Sequence, residues 1–242
     1  MANYFEQVLQ NARKQGKVKT SKASPAEPPQ GRLDGLVALM NQRRLKEAVQ
    51  QATAMAAEYP NAAIVFNILG AAQMGLRNLD GAAASFGKAV QLRPGFAPAH
   101  NNLGVALKDL GRLQEAAASF SKAVQLKPDF AEAHSSLGTA LHRQGLLDEA
   151  IASYDKALQY KPDLAEAFNN RGAALKDRGR LEEAIASFGT ALRLKPDYSE
   201  AHNNLGLALL ARGNLKEAIA SFGKAVSIRP DFAEAHNNLG VA

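Results

Sequence analysis

Pro60, Pro94, Pro128, Pro162, Pro196 and Pro230 stand 34 residues apart without a slip. A fixed period of this size marks a repeat array, in which each unit is too small to bury its own apolar face and does so against its neighbours. Length is then a poor guide to domain number, because the 242 residues divide by the period rather than into globular domains of ordinary size. With 46% hydrophobic but only 6% aromatic residues, the composition suits closely packed helices rather than a large globular core.

The bulk properties remove several classes of function. Cysteine is absent, which excludes disulfides and thiolate metal sites and is compatible with a reducing, cytoplasmic setting, the location expected here. No apolar run approaches the roughly 18 residues of a membrane span, and residues 1–30 contain no apolar stretch of the signal-peptide kind. Net charge is +6, half of it at the front, where Arg13, Lys14, Lys17, Lys19 and Lys22 against Glu6 and Glu27 leave +3. The rest is spread over the whole array, too dilute for a nucleic-acid stripe. The basic N-terminal segment is read as a solvated linker in preference to an anion-binding tail.

Residues 3–14 place Tyr4, Phe5, Val8, Leu9 and Ala12 on one side of a short helix, and Lys17 to Gln30 reads as a linker ending Pro28-Pro29. From Gly31 onward the pattern is helical. In the unit Ala97 to Phe130, His100, Leu103, Gly104 and Leu107 have the spacing of one buried helical face. Gly111 follows where a left-handed cap is expected. A second helix starts near Leu113, is expected to bury Ala116, Phe120, Ala123 and Leu126, and is stopped by Pro128. Asp129 and Glu132 have the spacing of a capping box for the next helix. Gly70, Gly104, Gly138, Gly172, Gly206 and Gly240 recur in register as points of close helix approach. Ala82, Ala116, Ala150, Ala184 and Ala218 answer them from the second helices, while Phe86, Phe120, Tyr154, Phe188 and Phe222 fill the larger gaps.

The spacing Leu103-Gly104, Leu107, Ala116, Phe120, Ala123, Pro128 resembles the tetratricopeptide repeat over roughly residues 31–242. The resemblance implies an all-α α-solenoid, a right-handed superhelix of antiparallel helix pairs. It comprises a degenerate leading repeat (31–62), five full repeats (63–96, 97–130, 131–164, 165–198, 199–232) and a partial one (233–242). The leading unit has Leu36 in place of the small glycine, so its first helix is expected to be short or tilted. The last unit stops at Ala242, midway through a first helix; a fragment of a longer protein is expected.

In such a superhelix the first helices line the inner groove. Counting from Ala97, Ala131, Ala165, Ser199 and Ala233 as position 1, a helical wheel buries positions 4, 7, 8 and 11 and turns 2, 6, 9 and 13 outward. Position 6 carries Asn102, Ser136, Asn170, Asn204 and Asn238; position 5 carries Asn67, Asn101, Ser135, Asn169, Asn203 and Asn237. An asparagine amide both donates and accepts, and so can pair with a peptide backbone in either sense. First helices about 8–10 Å apart would present one amide to roughly every third residue of an extended chain. The row resembles the asparagine ladder of O-linked N-acetylglucosamine transferases, which holds extended substrate segments by their backbone. Thr139 at position 9 and Arg143 at position 13 complete the candidate groove.

Glu132, Glu166, Glu200 and Glu234 at position 2 could form an acidic rail for basic segments, although a carboxylate in a first helical turn is already explained by the helix dipole. The clamp with which some family members grip a C-terminal carboxylate requires Lys at positions 2 and 5 and Asn at 9. Here Glu stands at 2 and Val105, Thr139, Ala173 or Leu207 at 9, which weighs against a tail adaptor of that type. His100, His134, His202 and His236 share position 4 and are read as packing residues, one layer apart and unable to share a metal. His142 is read as solvated. No phosphate-cradling glycine loop, no convergent Ser/His/Asp set and no metal or cofactor site is expected. Gly87, Gly189 and Gly223 fall inside second helices without a functional reading.

Three functions compete. The first is a non-catalytic protein-interaction scaffold gripping an extended protein or peptide segment in the groove. The second is the substrate-recruiting arm of a glycosyl-, sulfo- or methyltransferase whose catalytic domain lies beyond residue 242. The third is end-to-end self-association through the apolar face around Leu215, Ile219, Phe222 and Val226.

Overall fold

The computed structural model describes residues 27–242. The expected helix over 3–14, most of the linker and the basic cluster from Arg13 to Lys22 lie outside the described residues. Thirteen α-helices and no strand are present among the residues described. They are α1 (Gln30–Asn41), α2 (Leu45–Glu58), α3 (Ala63–Gly75), α4 (Leu79–Leu92), α5 (Ala97–Asp109) and α6 (Leu113–Leu126) in one compact unit that ends at Pro128. The second unit, Asp129–Ala242, holds α7 (Ala131–Arg143), α8 (Leu147–Tyr160), α9 (Ala165–Asp177), α10 (Leu181–Leu194), α11 (Ser199–Ala211), α12 (Leu215–Ile228) and α13 (Ala233–Val241). Within each unit every odd helix pairs with the even helix that follows it, and each even helix packs on the next odd one. The architecture is an all-α solenoid of helix pairs.

The helix ends follow from the punctuation of the sequence. Each periodic proline lies two residues past a second helix, and a residue before proline is pushed towards extended backbone. Arg93, Lys127, Lys161, Lys195 and Arg229 accordingly adopt nearly the same conformation, φ −137, −139, −142, −139 and −131°. First helices end on Gly111, Gly145, Gly179 and Gly213 with φ between 78 and 86°, the left-handed region that glycine enters without steric cost. Arg43 and Arg77 hold the same place in the first two helix pairs at φ 58 and 63°.

The recurring glycines have a specific partner. A Cβ on Gly70, Gly104, Gly138, Gly172 or Gly206 would stand 2.5–2.8 Å from the ring of Phe86, Phe120, Tyr154, Phe188 or Phe222 respectively. Each ring comes from the residue sixteen positions later and is fully buried. The glycine therefore makes the seat for the ring that locks a helix pair together. The leading pair inverts this arrangement, with Leu36 in the glycine place and Ala52 in the aromatic place, both fully buried. Bulk has moved from one helix to the other, and α1, at twelve residues, is one residue shorter than α3. Tyr154 is the one aromatic seat residue with a polar atom. Its hydroxyl donates to Thr139 Oγ1 at 3.2 Å, and burial pushes its pKa up to about 12.

Three local expectations are corrected. The capping box does not form, because α7 begins at Ala131 and its N-cap is Phe130, with no side-chain cap; Asp129 stands one residue too early. Leu126 is 37% exposed, since it is the last residue of α6 and lies beyond its seam. The helical wheel also places too little inside. Positions 3 and 10 (Ala133, Ala140, Ala167, Ala174, Ala201, Ala208) are buried, and so are Asn67, Asn101, Asn169 and Asn203 at position 5. A first helix in the array touches its own second helix, the preceding one and its neighbouring first helices, so it has more than one covered face.

Candidate functional site

The first turns of α7, α9, α11 and α13 carry Glu132, Glu166, Glu200 and Glu234. A basic residue stands before five of the six periodic prolines, Pro94, Pro128, Pro162, Pro196 and Pro230, and ends the second helix of its repeat; in two repeats it reaches back to this carboxylate. Lys161 Nζ lies 3.0 Å from Glu132, and Arg229 Nη1 lies 2.6 Å from Glu200. Where position 2 is Ile64, Arg93 pairs instead with Glu27 at 3.0 Å. The same cations stack on the aromatic residue three positions later, Arg93 on Phe96 at 5.3 Å, Lys195 on Tyr198 at 4.8 Å and Arg229 on Phe232 at 3.7 Å. Sequence reasoning misses this set, although a Lys or Arg directly precedes each of these five prolines.

The asparagines are tied to one another between repeats. Asn102 Nδ2 donates to Asn67 Oδ1 at 3.0 Å, Asn204 Nδ2 to Asn169 Oδ1 at 2.9 Å, and Asn238 Nδ2 to Asn203 Oδ1 at 2.9 Å. Position 6 of one repeat thus closes on position 5 of the repeat before. Asn203 also donates to Glu234 Oε1 at 3.1 Å. The equivalent amide group of Asn67 has no partner among the described residues, because the next repeat has Pro98 where Glu234 would be. Asn170 breaks the series. The preceding repeat has Ser135 at position 5, and Asn170 uses only its Oδ1, accepting from Asn169 Nδ2 at 3.2 Å.

In the second unit these groups converge on a pocket of about 470 Å³. The amides of Asn169, Asn170, Asn203 and Asn204, the carboxylates of Glu166, Glu200 and Glu234, and Lys195, Tyr198 and Phe232 line it. Burial pushes the Tyr198 hydroxyl up to about 12, with the carboxylates of Glu166 and Glu200 adding to the effect. Glu200 goes the other way. Burial opposes its ionisation, but its own backbone N–H, the Ser199 hydroxyl and Arg229 together hold it below the usual carboxylate value.

The tetratricopeptide repeat profile matches residues 33–97, 69–129, 101–165 and 169–231, in register with these helix pairs. The chain belongs to the tetratricopeptide repeat family. No curated protein was found to match it in sequence. Among solved structures it is similar to YrrB, described as a TPR protein with an unusual peptide-binding site, at 24% identity and a TM-score of 0.63, covering 77% of this chain and 96% of that one. It is similar to MamA at 26% identity and a TM-score of 0.62, covering 69% and 97%. A third neighbour is TTC0263, a thermophilic TPR protein of Thermus thermophilus, with 25% identity, a TM-score of 0.60 and coverage of 74% and 98%.

The other candidate residues of this tetratricopeptide repeat chain are dispersed. Ser136 is half-buried, Arg143 lies exposed in the last turn of α7, and Asn237 is exposed on α13. Thr139 is occupied with Ser135 O at 3.1 Å and with the Tyr154 hydroxyl. The position-4 histidines are latches and not core packing. His100, His202 and His236 place Nε2 within 2.9–3.0 Å of the carbonyls of Pro94, Pro196 and Pro230, and His134 stacks on Tyr160. His142 is not simply solvated, since its Nε2 lies 2.8 Å from Asp177 Oδ2. No group of three metal-ligating side chains occurs among the described residues, and none of their helices is long and apolar enough to cross a membrane.

Proposed function

We propose that the chain is a non-catalytic protein-interaction scaffold that binds an extended peptide segment along the face of its first helices. The observation that carries this reading is the convergence of four asparagine amides from α9 and α11 on one polar pocket of about 470 Å³, within the usual size range of ligand sites. The inter-repeat ties use one acceptor and one N–H of each pair and leave further donors and acceptors for a peptide backbone. Stacked first helices about 8–10 Å apart would meet such a backbone about every third residue. The likeness to YrrB, a protein with a peptide-binding site, points the same way.

The test is selection from a displayed random-peptide library, followed by titration of a selected synthetic peptide into isotope-labelled protein. The side-chain amide resonances of Asn169, Asn170, Asn203 and Asn204 should shift, and Asn170→Ala should weaken binding without loss of helicity. Shifts confined to the even-numbered second helices would refute the reading.

A further inference from the structure

The repeat 165–198 is the place where the polar pairing of the second unit stays open. Glu132 and Glu200 are each closed by the cation that ends their own repeat, at 3.0 and 2.6 Å. Glu234 accepts from Asn203. Glu166 has neither kind of partner among the described residues. The cation in the matching place, Lys195, lies over the Tyr198 ring and forms no ion pair with Glu166. One turn further along α9, the Asn170 N–H2 group has no acceptor among the described residues, and the residue in the place that would supply one is Ser135. Both open groups line the same pocket.

The charge of the pocket is equally unbalanced. Three carboxylates line it against Lys195, and Arg229 beside it is already committed to Glu200. The sum is one negative charge in excess, with neither Glu166 nor Glu234 ion-paired to a cation among the described residues, and of the two only Glu166 also lacks a hydrogen-bonded amide. Burial is the main cause of the elevated pKa of Tyr198, and the nearby carboxylates of Glu166 and Glu200 add to it. A site of this kind selects a cation, and a planar one that can take both carboxylate oxygens while lying along an aromatic edge suits it better than an ammonium point charge.

We propose that this pocket is a subsite for an arginine side chain of the bound segment, with Glu166 taking the guanidinium and the Asn170 amide holding the adjacent peptide carbonyl. The proposal rests on the peptide-binding reading and adds the chemistry of the partner to it. It also reverses the sign of the carboxylate-gripping clamp, for which this chain lacks the lysines.

The experiment uses the same library on the whole chain and on Glu166→Gln, an exposed substitution that keeps the side chain's shape. Peptides selected on the parent chain should carry arginine at one fixed position, and those selected on Glu166→Gln should not. In a synthetic copy of a selected peptide, replacing that arginine by the neutral isostere citrulline should weaken binding about tenfold or more on the parent chain, and should change nothing on Glu166→Gln. Selected peptides that shift the pocket asparagines but show no arginine, or a citrulline penalty that persists in Glu166→Gln, would overturn the subsite and leave the scaffold reading standing. If no selected peptide touches the first-helix face, both fall.

Discussion

Gly172 and Gly189 lie in the same helix pair, Gly172 against the Phe188 ring and Gly189 on an exposed face, and alanine should have opposite effects at the two. In both places alanine gains about 0.5–1 kcal/mol of helix stability over glycine. At Gly189 a Cβ meets nothing within 4 Å, so the gain is kept. At Gly172 the Cβ would stand 2.7 Å from Phe188 Cε1, 2.8 Å from Cδ1 and 2.9 Å from Cζ, against an optimum of about 3.5–4.0 Å. The ring is fully buried and must move by about 1 Å in a close-packed interior, a change that costs about 1–3 kcal/mol. Gly172→Ala should therefore lose about 1 kcal/mol net, and the two alanine variants should differ by about 2 kcal/mol. Urea denaturation measures the difference, and amide exchange in α9 and α10 localises it, which matters because repeat arrays need not unfold as one unit. A Gly172→Ala chain as stable as Gly189→Ala would refute the ring-seat explanation of the periodic glycine.

Three further outcomes follow from single contacts. Thr139→Val leaves the buried Tyr154 hydroxyl without a partner and should cost about 1–3 kcal/mol, whereas the same change in a Tyr154→Phe background should cost much less; a double-mutant cycle by denaturation reads the coupling. Tyr154 and Tyr198 have pKa values raised from 10.0 to about 12, so the stability they contribute is complete below about pH 10 and is lost as pH rises through 12. Phenylalanine at either place should move the alkaline unfolding transition upward, as followed by far-ultraviolet circular dichroism. Arg77→Gly removes a side chain from left-handed backbone at φ 63° and should raise the melting temperature, since that conformation costs a non-glycine residue about 1–2 kcal/mol.

Much of the fold can be read from the chain because one small set of residues repeats its duty. The proline period, the glycine–aromatic spacing and the left-handed glycine are local or nearly local signals, and helix boundaries follow them closely. The Leu36/Ala52 inversion is equally visible as a swap of bulk, but a template that asks for glycine reads it as a defect. What a single helical wheel cannot show is the second covered face of the first helices, because that depends on neighbours 34 residues away. For the same reason Asn67, Asn169 and Asn203 read as exposed groove residues, when their amides serve largely to tie one repeat to the next. Histidine at position 4 escapes the wheel in a similar way, since the acceptor it finds is the carbonyl of the proline six residues earlier.

The strict period therefore reports what the array needs in order to stack, and a polar group that obeys it is usually satisfied by its counterpart in the adjoining repeat. Capacity for a ligand arises where the period is broken. Ser135 in the place of an asparagine frees the amide of Asn170, and the Lys195 side chain resting on Tyr198 leaves Glu166 open. Pro98 in the place of a glutamate strands the amide of Asn67, a group buried at 1% exposure. The first two of these breaks share one pocket. Restoring the period there, with Ser135→Asn, should let Asn170 close on the preceding repeat as Asn204 does, stabilise the second unit and weaken peptide binding together. A substitution that strengthened stacking and binding at once would show that the open amide is not what the ligand uses.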